Sequence, residues 1–342
     1  MPRKKHNPRN SMGSKGIRMA FDHRAHGMQP PLIHIGFPKA MSSWLQKFLF
    51  QPEQGFINIL DSLRTTISVI DPSPFTFDES VSKAFIEETL RNTPHHSQLV
   101  PVCSAEALVG NYYCGGFNAK QNADRLKQLF PEAKILLIVR EQRSLMRSLY
   151  KTMVVWGMPH SIKRLLSPQN TSLVPQFHLD FLRFDLITAY YQTLFGRENV
   201  LVLPYEAFPD NPHGFVQKIL THANCKATPA FAKLPWKRKL NKNQPLINIY
   251  FQRLKNILLA TPFNYVGPLA QTETRIATSI KNSKKNGFPA FTHTWFEDDF
   301  NQIVSQVFAR QFSASNHCLE QLTGLRLAQY GYDVAVSTQD DA

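Results

Sequence analysis

The chain is 342 residues long, 43% hydrophobic, and carries a formal net charge of +14. That length and composition suit one large α/β domain or two small ones with a real apolar core. No run approaches the roughly 18 consecutive apolar residues of a membrane-spanning helix, and the N-terminus has no signal-peptide core, so the reading places the protein in the cytoplasm.

Four scattered cysteines, Cys103, Cys114, Cys225 and Cys318, have neither metal-ligand spacing nor the density of a disulfide framework. They read as reduced and structural, and no metal is expected. Residues 1–30 hold Arg3, Lys4, Lys5, Arg9, Lys15, Arg18 and Arg24 against only Asp22. They read as a basic disordered tail, 31–335 as a single domain, and 336–342 as a second tail. Basic charge raises nucleic acid as a partner, but no nucleic-acid motif accompanies it.

In chain order, Leu32 to Phe37 is a short apolar run that predicts a buried strand, followed by a loop and an amphipathic helix from about Ser42 to Phe50. Asp78 to Arg91 predicts a helix, Leu99 to Cys103 a strand, and Asn122 to Phe130 a helix stopped by Pro131. Lys134 to Val139 (KILLIV) is the clearest buried strand, with a helix over Arg143 to Val155. Leu166 to Pro175 reads as a loop. Phe181 to Phe195 predicts a helix closed by Gly196, Asn199 to Leu203 a strand, and His213 to His222 a helix. Asn224 to Pro245 is irregular, and the last third is mostly helical. Alternating strands and helices predict a central parallel sheet flanked by helices, with a helical C-terminal part.

Two segments carry chemistry. The first is Gly36-Phe37-Pro38-Lys39-Ala40-Met41-Ser42-Ser43-Trp44 between strand and helix. Backbone N–H groups and a helix N-terminus attract phosphate there. Lys39 adds a charge, and Ser42 and Ser43 add hydroxyls that would also serve as helix caps. The G-x-x-x-x-G-K-[ST] spacing of a Walker loop is missing, so ATP with magnesium fits poorly. The second is Lys134 to Arg140, a strand ending in Arg, with Ser148 following in the next helix. An Arg at the carboxyl end of a parallel strand faces the crevice where α/β proteins bind ligands, and its planar fork suits phosphate.

Together these segments resemble the PAPS-dependent sulfotransferases, with the P-loop-like architecture that family implies. The resemblance runs from about residue 32 to 334 with gaps. It implies that Lys39 bridges the leaving phosphate oxygen and the sulfate of PAPS (3'-phosphoadenosine-5'-phosphosulfate). It also implies that Pro38 to Ser43 hold the 5'-phosphate, that Trp44 lies against the adenine, and that Arg140 and Ser148 take the 3'-phosphate. Tyr205, in YYQTLFGRENVLVLPYEAF, would sit at the adenine. Ser315-Asn316 and LAQYGYDV (327–334) also look like the end of bacterial members. Arg238 and Lys239, in WKRKLN, are the candidates for a basic loop over the 3'-phosphate. Met41 stands where many members have Gly, which predicts a less tightly wound loop.

The family uses a His or Glu general base. Glu106, after the Leu99–Cys103 strand, is the first choice, although a Glu there also suits a helix N-terminus; His34 is the alternative. The catalytic set is then Lys39, Glu106 and Ser148. The acceptor is a hydroxyl or amine of a glycan, lipid or small metabolite, and the stretch from Lys151 to Pro175, with Trp156, His160, Lys163 and Arg164, is expected to line its mouth. A P-loop nucleotide kinase and a basic nucleic-acid-binding protein are the alternatives.

Overall fold

The computed structural model describes residues 20–167, 175–238, 245–264 and 290–335, with side chains from residue 297 on in the last segment. Five strands, β1 (Leu32–Gly36), β2 (Phe56–Leu60), β3 (Val100–Ser104), β4 (Lys134–Val139) and β5 (Val200–Pro204), form one parallel sheet in the order β2-β3-β1-β4-β5. Every residue of β1 and β3 is buried. The near-continuous apolar sequences of β1 and β4 follow from this, because a parallel sheet covered on both faces leaves no solvent side.

Helices α1 (Ser42–Trp44, continued as a wider turn through Leu49), α2 (Glu79–Arg91), α3 (Ala119–Leu129), α4 (Gln142–Val155), α5 (Phe184–Phe195) and α6 (Pro212–His222) lie between and after the strands. The C-terminal part adds α7 (Leu246–Leu258), α8 (Ala290–Phe308) and α9 (Ser313–Thr323). Asp78 caps α2 by accepting from the Ser80 N–H at 2.8 Å, and Glu141 caps α4 by accepting from the Arg143 and Ser144 N–H groups. Among the described residues, no helix is long and apolar enough to cross a membrane.

The sequence reading missed β2. Its FINIL run is interrupted by Asn58, and its pairing with β3 slips between Asn58 and Leu60, which masks the strand pattern. Part of the stretch read as a tail is packed. Phe21 and Met28 are buried, and the Phe21 N–H bonds the Leu129 carbonyl at 2.9 Å. Two apolar anchors in a basic segment are too few to show in composition. Residues 1–19 and 336–342, Lys239, and most of the predicted 166–175 loop lie outside the described residues.

Topology sets the site. From β1 the chain crosses towards β2, whereas from β3 and β4 it crosses the other way. A crevice therefore opens beyond the carboxyl end of β1.

Candidate active site

Four strand ends deliver four side chains to this crevice. Lys39 follows β1, Glu106 follows β3, Arg140 follows β4 directly, and Tyr205 follows β5 directly. Backbone bonds carry the sheet past its last paired residues: Phe37 N–H to the Ile138 carbonyl at 2.8 Å, Ala105 N–H to His34 at 3.2 Å, and Tyr205 N–H to Val139 at 2.8 Å. The side chains thus rise from a rigid base.

The first loop is tightly wound. Lys39 (φ 65°) and Met41 (φ 62°) both adopt the left-handed conformation, so the turn expected to loosen without Gly forms with Met41 in it. Pro38, Ala40 and Ser42 are buried, and Ser43 is exposed. The Ser42 hydroxyl donates weakly to the Phe37 carbonyl at 3.4 Å. Gly36 has φ +135°, and a Cβ on it would meet Val109 Cγ1 at 2.9 Å and the Glu106 carbonyl oxygen at 3.1 Å. The absent side chain is what lets the β3 end close against the β1 end.

That closure sets Glu106 beside the loop. Burial pushes its carboxyl up from the ordinary range, against a hydrogen bond from Ser42 and the charge of Lys39, which hold it down. Tyr112 and Tyr113 join it: their hydroxyls lie 3.2 Å apart, and burial raises both, with the Glu106 charge adding to the rise. Sequence reasoning passed over this pair because two adjacent tyrosines carry no motif. His34 is fully buried and shares a 2.8 Å bond with the Ser104 hydroxyl. Burial pulls its pKa to about 3, so it is a neutral core histidine.

The second motif reaches the first. Arg140 Nη1 donates to the Lys39 carbonyl at 2.9 Å, and its guanidinium carbon sits 4.9 Å from the Tyr205 ring centroid. Arg140 Nε is buried with no partner among the described residues. Ser148 is half-exposed on α4, and no hydrogen bond among the described residues joins it to Arg140 or the loop.

Behind Arg140, Glu206 acts as a brace. Its carboxylate accepts from the Glu141 N–H at 3.0 Å and from the Tyr332 hydroxyl at 3.1 Å. Gln142 Nε2 donates to Asn316 Oδ1 at 2.6 Å, Asn316 donates to the Asp333 carbonyl at 2.8 Å, and Ser315 bonds Asp185. The C-terminal residues noted in the sequence thus hold the start of α4.

On the α1 side lies an aromatic cluster. Trp44 is buried, with ring centroids 5.0 Å from Phe208 and 6.1 Å from Trp236, and it donates to the Pro235 carbonyl at 3.3 Å. Trp236 packs against His213 with ring centroids 4.0 Å apart and planes tilted by 36°, and its own Nε1 is buried without a partner among the described residues. Arg238 is exposed, with its guanidinium 5.7 Å from the Phe48 ring. Among the described residues, no group of three or more His, Cys, Asp or Glu side chains could hold a metal ion.

The model of the sulfotransferase family matches residues 78–229 of the chain. The family is one of transferase enzymes. Similar solved structures include a sulfotransferase from Alicyclobacillus acidocaldarius (16% identity, 67% of this chain and 93% of that chain, TM-score 0.45). Others are the sulfotransferase domain of the Synechococcus PCC 7002 olefin synthase (12%, 67% and 95%, TM-score 0.36) and a mouse sulfotransferase complexed with PAP (14%, 80% and 89%, TM-score 0.32). No curated protein matches the chain.

Proposed function

We propose that this chain transfers a sulfuryl group from PAPS to a hydroxyl or amine of an acceptor. The observation that carries the reading is the bond from Arg140 to the Lys39 carbonyl. It brings two separate anion-attracting segments to one crevice and leaves the buried Arg140 Nε without a partner among the described residues. A nucleotide with phosphate at both ends needs two such segments.

In this reading the loop from Pro38 to Ser43 receives the 5'-phosphosulfate on backbone N–H groups, hydroxyls and the Lys39 charge. Arg140 and Ser148 receive the 3'-phosphate. Trp44 and Tyr205 flank the adenine, and Arg238 with Lys239 covers the 3' end. Glu106 takes the acceptor proton, and its burial makes it a stronger base than a surface carboxylate. A bond forms from the acceptor oxygen or nitrogen to sulfur. The bond from sulfur to the 5'-phosphate oxygen breaks, and its electron pair leaves with PAP, where Lys39 offsets the gathering charge.

Calorimetric titration with PAP and with ATP tests this. PAP binds the wild type more tightly than ATP, and Lys39→Ala and Arg140→Ala each weaken PAP roughly ten- to hundredfold, as loss of a charge-assisted hydrogen bond requires. A preference for ATP, or PAP affinity unchanged in both variants, overturns the proposal.

A further inference from the structure

Two polar residues interrupt the apolar strands beneath the site. β1 reads LIHIG and β3 reads VPVCS, and His34 and Ser104 are both buried. Burying polar groups costs stability unless they are bonded, and a departure of this kind inside a core marks a place with another task. The two side chains bond each other at 2.8 Å, while the His34 Nε2 is left without a partner among the described residues. From Ser104 the bonds lead out of the core to Gln46.

Gln46 lies in the wide turn that continues α1, one helical turn after Ser42 and Ser43. Its Nε2 donates to the Ser104 carbonyl at 3.0 Å and to the Ser104 hydroxyl at 3.2 Å. The Ser62 hydroxyl donates to the same carbonyl at 3.2 Å, so two donors fill its two lone pairs. Ser62 opens the short helix Ser62–Thr65 that follows β2. Segments leaving β1 and β2 therefore meet on the last carbonyl of β3. Ala105, the one residue between that carbonyl and Glu106, is buried, and its N–H is bonded to the His34 carbonyl at 3.2 Å. With both points held, the backbone that starts Glu106 has little freedom. Ser42, at the other end of the same turn of α1, bonds the Glu106 carboxylate directly. Whatever places α1 thus places Glu106.

We infer that Gln46 is a positioning residue: its bridge to Ser104 holds the Glu106 carboxylate in register with the phosphate loop. The inference rests on the sulfuryl-transfer reading, in which Glu106 takes the acceptor proton while the sulfate sits over the loop. Without the bridge both parts remain, but their separation is no longer set.

The test uses the full chain, labelled on glutamate for carboxyl-carbon NMR, with the Glu106 signal identified from Glu106→Gln. Wild-type Glu106 titrates above the ordinary carboxylate range because it is buried; its charged and titratable neighbours are Lys39, Tyr112 and Tyr113. Gln46→Met keeps the side-chain length and removes the donor. Its Glu106 midpoint falls by about half a pH unit or more, as water reaches the loosened turn. Ser62→Ala, at an exposed position, removes the second donor to the same carbonyl and moves the midpoint the same way by less. PAP affinity in both variants stays within about threefold of wild type, because Lys39, Arg140 and the loop N–H groups are untouched. A Glu106 midpoint that ignores both substitutions overturns the inference. So does a loss of about tenfold or more in PAP affinity in Gln46→Met, which would make the bridge a support of the loop itself. The two readings fail separately: a wild type that does not bind PAP sinks the donor site whatever Glu106 does, and one that binds PAP with an unmoved Glu106 midpoint in the variants sinks the bridge alone.

Discussion

Tyr332→Phe tests how the C-terminus supports Arg140. The substitution keeps a buried ring and deletes one hydroxyl, which donates to Glu206 at 3.1 Å. A hydrogen bond to a charged group contributes about 1.5–3 kcal/mol. Glu206 is only partly buried, so water trims the loss to the lower end, about 1.5 kcal/mol. The pH dependence makes the test specific. Burial raises the Glu206 pKa above 4.5, so that contribution is fully present at low pH and lost as pH rises through the folded value. The Tyr332 bond acts in the opposite sense, because it favours the ionised carboxylate. Its contribution is present at neutral pH and fades as the carboxylate takes up its proton. Urea unfolding should therefore show a loss of about 1.5 kcal/mol at pH 8 and less than half of that at pH 4. An equal loss at both, or one below about 0.5 kcal/mol at pH 8, refutes the brace.

Three further outcomes follow from the geometry. Met41→Gly is more stable than Met41→Ala by about 1 kcal/mol in chemical unfolding, because φ 62° penalises any Cβ. Gly36→Ala costs roughly 3 kcal/mol, since its Cβ meets Val109 at 2.9 Å in a backbone conformation open only to glycine, and it lowers PAP affinity by displacing the loop that begins at the next residue. Burial, aided by the Lys134 charge, depresses His222 from 6.5 to about 4, so the wild type loses stability as pH falls through that interval. His222→Gln flattens the stability–pH slope there by up to about 1.4 kcal/mol per pH unit.

The parts of the molecule legible in the sequence are those where one residue type serves a single purpose. The KILLIV run has no use outside a doubly covered strand, and Lys134–Val139 matches it residue for residue. Lys39 and Arg140 stood out because each is a cation placed shortly after an apolar strand. Met41 was readable as a departure, but its conformation was not, since the turn is imposed by β1 and α1 on either side. Glu206 was silent as a site residue because its role comes from a neighbour far along the chain, Tyr332 lying 126 residues from the carboxylate it binds, whereas Tyr112 and Tyr113 were silent because an adjacent tyrosine pair carries no motif. The Asn58 interruption hid β2, an edge strand that pairs only with β3.

The Tyr332–Glu206 contact also orders events in time. Arg140 and Lys39 leave the ribosome early, and the sheet that carries them is complete once β5 has emerged at Pro204. The brace behind Arg140 needs Tyr332, and the bond from Asn316 to the Asp333 carbonyl needs the residue after it. On a nascent chain the loops that carry Lys39 and Arg140 therefore stay unbraced until residues 332 and 333 have emerged.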